Sequence, residues 1–241
     1  MVRLPLAGPL PPLEHTRKSA ERLLTAMERR RSKDVNFNQL YRDFMEEYTD
    51  LQHMTLVKTS LINNSVCYLP HHGVLRTSST TTKLRIVFNG SQCTPAGDSL
   101  NNTLLVEANL LPTLADVLLR WRWHRFVFIA DIEKMYWQIL IHPDDRDLQR
   151  ILWRRQRTDD VQEYRLNTVT YGLACAPFLA IRTLRQLADD EESTNPKGAV
   201  ALRRDCYVDD IVTGASTLSE AVEIQGQLRR LCMAGGFPLR K

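Results

Sequence analysis

Apolar residues recur every three to four positions over two early stretches, about His15–Arg31 and Asp34–Asp50, behind a proline-rich start from Leu4 to Leu13. That period predicts two amphipathic helices. It then shortens to two: a β-type run from Val66 to Phe88, interrupted by the Ser/Thr stretch Thr77 to Thr82, predicts two strands joined by a turn. Pro112-Thr113 opens another helix, with Leu114, Val117, Leu118 and Trp121 on one face and an end near His124. The apolar strand Phe126-Val127-Phe128-Ile129-Ala130-Asp131 follows at once. After Pro143 the pattern predicts a short polar helix, strands near Arg150–Arg154 and Glu163–Thr170, and a helix from about Ala176 to Glu191. The segment Ser193–Gly198 reads as a loop before the strand bearing Tyr207. In the last helix Thr217 and Glu220 form a capping box, Ala221, Ile224, Leu228 and Leu231 a buried stripe, and Gly235-Gly236 the stop. This order predicts an α+β fold: an antiparallel sheet with helices packed on one face and carboxylates at its exposed end.

Two of the strands carry the candidate chemistry. Asp131 ends one apolar run, and Asp209-Asp210 lies inside another, Cys206-Tyr207-Val208-Asp209-Asp210-Ile211-Val212. A carboxylate beside buried strand residues is costly unless a cation neutralises it, so two such places suggest one shared metal site. Asp144-Asp145, Asp159-Asp160 and Asp189-Asp190 are the control: beside Pro143, a basic run and Glu191-Glu192, they read as solvated loops or helix ends. Side chains alternate along a strand, so Asp209 and Asp210 cannot both face one ion from a regular extended segment. At a hairpin tip Asp209 would point with Tyr207, and the turn would re-aim Asp210. Asp131 and Asp209 are therefore the expected direct ligands, with Asp210 in support. An oxygen-only donor set favours Mg²⁺ over Zn²⁺. His71-His72 sit in a Pro/Gly-flanked segment that reads as a loop, and Cys67, Cys93, Cys175, Cys206 and Cys232 make no CxxC pair.

Tyr207-Val208-Asp209-Asp210 resembles the signature box of reverse transcriptases, and Asp131 with its strand resembles the first catalytic box of the same palm domain. Longer strings agree in order: Lys83-Leu84-Arg85-Ile86-Val87-Phe88, Ser99-Leu100-Asn101-Asn102, Asn109-Leu110-Leu111-Pro112, Ala130-Asp131-Ile132-Glu133-Lys134-Met135-Tyr136 and Gln138-Ile139. From about Val66 onward the chain is similar to the reverse transcriptase segment of a BEL/Pao-type LTR retrotransposon polyprotein. The resemblance implies a fingers/palm fold and two-metal nucleotidyl transfer from a dNTP to a primer 3′-hydroxyl. It implies Asp131, Asp209 and Asp210 as catalytic residues. Two Mg²⁺ ions, or Mn²⁺ in their place, would lie on Asp131, Asp209 and the backbone carbonyl of Ile132. Lys83 and Arg85 match the residues that contact the triphosphate, Tyr136 the gate against a ribose 2′-hydroxyl, and Tyr171 and Gly172 a nucleotide-packing box, with Ile132 also beside the nucleotide. Asn89 departs from the pattern, where an acidic residue is expected. The implied partners are an RNA or DNA template with a DNA primer, dNTPs, and further polyprotein domains (thumb, RNase H, integrase, protease).

Of 241 residues, 43% are apolar, enough for one large or two modest domains. The expected division is a helical lead-in over 1–60 and a fingers/palm domain over 61–241, truncated at its C-terminus because the chain stops soon after Gly236-Phe237-Pro238-Leu239-Arg240. A net charge of +4 does not by itself mark a nucleic-acid binder. Local basic surface must serve, and the candidates are Arg29-Arg30-Arg31, Arg120 with Arg122 and Arg125, Arg154-Arg155 with Arg157, and Arg203-Arg204, near Trp121, Trp123 and Trp153. Unpaired cysteine spacing fits a reducing compartment, and no run is long enough to span a bilayer, so the expectation is a cytoplasmic protein, free or in virus-like particles. Two classes of function remain: an RNA-directed DNA polymerase segment, and a catalytically inactive remnant that acts at most as a nucleic-acid-binding module.

Overall fold

The computed structural model describes residues 1–58, 65–75 and 84–240. In chain order the elements are α1 (Thr16–Arg31), α2 (Val35–Asp50), β1 (Met54–Leu56), β2 (His71–Leu75), β3 (Leu84–Phe88), the short α3 (Leu100–Thr103), α4 (Leu114–Trp123), β4 (Phe126–Ile132), β5 (Arg150–Trp153), β6 (Gln162–Leu166), α5 (Ala176–Asp190), α6 (Pro196–Asp205), β7 (Cys206–Tyr207), β8 (Asp210–Ala215), α7 (Leu218–Ala234) and β9 (Leu239–Arg240). The fold is α+β, with antiparallel strand pairing in every sheet. The chain divides into two compact units, Met1–Val106 with Leu140–Ala176, and Glu107–Ile139 with Pro177–Lys241. Helices α1 and α2 pack on β2, β3 and β5 and share their core rather than precede it.

In the first unit the sheets are β1-β6-β5 and β2-β3. Asp34 caps α2 by accepting from the Phe37 amide, and Phe37, Tyr41, Met45 and Tyr48 form its buried stripe. Tyr41 stacks on Trp153 at 5.5 Å, and the Arg31 guanidinium lies 4.5 Å from the Trp153 ring, so this arginine and this tryptophan serve the core. His71 is a buried residue of β2, opposite Phe88, rather than part of a loop. A carbonyl can only accept, so Nε2 donates to Leu152 O at 2.9 Å and Nδ1 accepts from the Tyr41 hydroxyl. Burial pushes the His71 imidazole down to about 4. Asp145 is also buried rather than solvated: Arg3 Nε donates to it at 2.8 Å and the Leu4 amide at 2.9 Å. Arg150 is fully buried between Asp147 at 2.8 Å and Glu163 at 3.0 Å.

The second unit is built on the sheet β7-β8-β4-β9. Phe126, Phe128, Ala130 and Ile132 alternate with Val127, Ile129 and Asp131 along β4. The first set, with Ile211, Thr213 and Ala215 of β8, takes the face that α6 and α7 cover; Val127 and Ile129 are exposed on the other. That asymmetry is why β4 reads as an apolar run yet can end in a wet carboxylate. β9 pairs only with Asp131 and Ile132, so the outer edge of β4 from Phe126 to Ala130 has no strand beside it among the described residues.

Helix α6 takes the second half of the loop expected over Ser193–Gly198 and runs on to Asp205. Pro196 begins it, and Gly198 allows close approach to α7: a Cβ there would lie 2.9 Å from the Gln227 backbone, and the Gly198 amide donates to Gln227 Oε1 at 3.0 Å. In α4 only Val117 is buried; Leu114 and Leu118 of the expected stripe are exposed. At the start of α7 the N-cap half of the expected capping box forms, with Thr217 accepting from the Glu220 amide at 3.3 Å.

Candidate functional site

The acidic residues of the second unit meet at one end of the β4–β8 ladder. Tyr207 pairs with Asp210, which leaves Val208, at φ 61°, and Asp209 as a two-residue turn. Asp210 is therefore the first residue of β8, and it lies directly opposite Asp131. The Ile132 amide donates to the Asp209 carbonyl at 2.8 Å, which makes 132–209 a hydrogen-bonded position. The neighbouring pair 131–210 is then of the close, non-bonded kind, with Cα atoms about 4.5 Å apart and side chains on one face. The register thus makes Asp210, rather than Asp209, the cross-strand neighbour of Asp131, with Asp209 one position away in the turn. Ile132 itself points its side chain into the core.

On the other side of Asp131 stands Arg240 of β9. Its guanidinium is 3.5 Å from Asp131 Oδ2 and 3.9 Å from Glu133 Oε1. A row Asp210, Asp131, Arg240 thus crosses the exposed face of three strands, with an internal cation beside the central carboxylate. Among the described residues no group of three or more His, Cys, Asp or Glu side chains is placed to hold a metal ion. Mg²⁺ sites commonly draw one or two carboxylates from the protein and complete the shell with water and phosphate, and Asp131 with Asp210 fits that donor set. Tyr136 sits in a single helical turn, Met135–Gln138, entered through Lys134 at φ 51°, and its ring is largely buried. Burial lifts the nearby Cys206 thiol to about 12, with smaller contributions from Cys232, Asp209 and Asp210, so it stays protonated at neutral pH.

In the first unit Arg85 lies on β3 opposite Val74, with its guanidinium 4.1 Å from the centre of the Tyr171 ring. The Phe88 amide donates to the Tyr171 carbonyl at 3.3 Å. Gly172 has φ +106°, and a Cβ would fall 1.8 Å from the Phe88 carbonyl oxygen. Only glycine fits there. Asn101, which the sequence offered only as part of a motif string, organises this turn. Its Nδ2 donates to Gly172 O at 2.9 Å and to Ser91 Oγ at 2.7 Å, while its Oδ1 accepts from the Ala174 amide at 2.9 Å. An asparagine followed by a second asparagine gave no signal that its amide would bridge to a turn 71 residues away. Lys83 and the turn Thr77 to Thr82 lie outside the described residues.

No family model matches the chain, and no curated protein matches it. Among solved structures it is similar to a foamy viral protease-reverse transcriptase in complex with double-stranded DNA, with TM-score 0.60 and 14% identity over 80% of this chain and 28% of that one. It is also similar to a selenomethionine-labelled mutant of the Prototype Foamy Virus protease-reverse transcriptase, with TM-score 0.59 and 16% identity over 81% of this chain and 22% of that one. The fold resembles that of retroviral reverse transcriptases. Identities this low carry the fold alone, and the chain spans under a third of either reverse transcriptase's length. No helix among the described residues is long and apolar enough to cross a membrane.

Proposed function

We propose that the chain is a nucleic-acid-binding module of reverse-transcriptase-like fold, taken from a BEL/Pao-type retrotransposon polyprotein, that engages primer and template without turning over nucleotides by itself. The observation that carries this reading is the row on the exposed sheet face: the central carboxylate, Asp131, already has a cation beside it in Arg240, 3.5 Å away. The likeness to viral reverse transcriptases, one of them in complex with double-stranded DNA, supports a nucleic-acid partner. In the first unit, Arg85 held over Tyr171 presents a planar, permanently charged donor of the kind that clamps phosphate.

A second reading is favoured by the close 131–210 pairing: two-metal transfer of a nucleotide from a dNTP to a primer 3′-hydroxyl. Asp131 and Asp210, with Asp209 and the Ile132 carbonyl, would hold Mg²⁺ or Mn²⁺, which would lower the pKa of the attacking hydroxyl and neutralise the leaving pyrophosphate. Arg85, Lys83, Tyr171 and Gly172 would hold the nucleotide, and Tyr136 would exclude the ribose 2′-hydroxyl. Extension of a DNA primer on an RNA template separates the two. The binding reading expects wild-type protein and Asp131→Asn to shift labelled primer-template alike and to add no nucleotide. Mg²⁺-dependent extension that Asp131→Asn or Asp210→Asn abolishes would establish the polymerase reading in its place.

A further inference from the structure

At the end of the β4–β8 ladder remote from the carboxylates, the second unit has a hollow of about 510 Å³ between α4, α6, the end of β8 and the start of α7. Phe126 and Ala215 mark that end, five residues along β4 from Asp131, or about 17 Å by strand rise. The volume is within the range of about 300–1,000 Å³ typical of small-ligand sites. Its walls bring together two basic segments far apart in sequence, Arg120 of α4 and Arg204 of α6, together with Lys197 and Trp123.

The side chains there are not equivalent. Arg120 is committed, since its Nε donates to Asp205 Oδ1 at 3.0 Å. Asp205 is fully served, accepting from Thr213 Oγ1 at 2.8 Å as well, so it offers no bare negative charge. Lys197 is tethered to Glu223 at 2.6 Å on the solvent side. Arg204 is exposed and its guanidinium has no ion-pair or hydrogen-bond partner among the described residues. Trp123 ends α4 and is 90% exposed. Arg122 and Arg125 flank it, both exposed, and the remaining acidic residue of the rim, Glu220, acts on Lys197. An exposed indole and an unpaired guanidinium lining one nucleotide-sized hollow, with cations outnumbering anions around it, match a base and its phosphate. A duplex hides its base faces in the stack and cannot place one on Trp123.

We propose that this hollow is a second nucleic-acid contact, for a single strand, in which one base stacks on Trp123 and the neighbouring phosphate lies on Arg204. It does not depend on the carboxylate row, and the test keeps the two apart. A short iodouracil-substituted oligothymidylate is photo-cross-linked to the whole chain and the adducts are mapped by mass spectrometry. The expected result is a cross-link at Trp123 whose yield is unchanged by Asp131→Asn and falls several-fold in Arg204→Glu. In anisotropy titrations with the same strand, Trp123→Ala should weaken binding about tenfold and Trp123→Phe much less, because stacking on one aromatic ring is worth roughly 1–3 kcal/mol. Both positions are exposed, so the variants should fold as wild type, which circular dichroism checks. No adduct at Trp123, an undiminished adduct in Arg204→Glu, or equal capture of duplex would overturn the proposal.

Discussion

Gly172 is where a single methyl group matters most. Its φ of +106° and the 1.8 Å approach of the Phe88 carbonyl mean that alanine must move β3 or the turn carrying Tyr171. Gly172→Ala should cost at least about 1–3 kcal/mol in urea unfolding, the scale of a strained backbone position. His71 makes a pH-dependent contribution of definite sign. Its imidazole is held neutral, down to about 4 from an ordinary 6.5, so in the acid range the unfolded chain takes up the proton first. The His71 contribution is complete above about pH 6.5, is lost as pH falls from there through 4, and levels off below. Urea midpoints measured across that window should fall less steeply in His71→Asn than in wild type, the remaining slope coming from carboxylates such as Glu163 that, against burial, are held below their usual range by arginine. Arg150 behaves differently, because it is buried with Asp147 and Glu163 against it. Arg150→Met would take one of two guanidinium partners from each carboxylate, leaving Arg165 on Asp147 and Arg17 on Glu163, and should cost about 1–3 kcal/mol in lost charge-assisted hydrogen bonds. Some of this was legible from residue types: Asp131, Asp209 and Asp210 stood out by their strand context. Asp145 did not, because its neutralising partner, Arg3, is 142 residues away and local charge gives no hint of it. Asn101 was hidden for the same reason.

Elements were easier to read where one face meets one core. Helices α1, α2 and α7 have regular stripes and side-chain or backbone start signals, and their observed limits fall within a residue or two of the expected ones. The start of α6 was read as part of a loop, Ser193–Gly198, because Pro196 and Gly198 look like breakers, whereas the proline starts the helix and the glycine is a packing surface. Gly198→Val should therefore lower the melting temperature more than its helix propensity explains, since the side chain would press on the Gln227 backbone. Replacing Thr217 by alanine should remove about 1 kcal/mol through loss of the α7 cap. Helix α4 shows the opposite error. Its apolar residues fit a stripe, yet Leu114 and Leu118 remain exposed, because burial depends on what packs against a helix and not on its periodicity.

For the whole molecule, the α+β class and the antiparallel sheet under helices followed from element order, while the division into two units did not. The chain leaves each unit and returns to it, and such interleaving has no signature in composition. The position of β9 also lay beyond the sequence, and with it the contact of Arg240 with Asp131. If that arginine shields the carboxylates, Arg240→Ala should tighten Mn²⁺ binding, read by electron paramagnetic resonance, by roughly threefold, consistent with the modest worth of an exposed ion pair. The short reach of β9 has a further consequence. Val127 and Ile129 leave their outward N–H and C=O groups without a strand, and their side chains are exposed on the same segment. An open apolar border of this kind is a template on which a second copy can lay its own β4, so oligomers should grow with protein concentration. A lysine at position 127 should keep the protein monomeric in sedimentation experiments where the wild type associates.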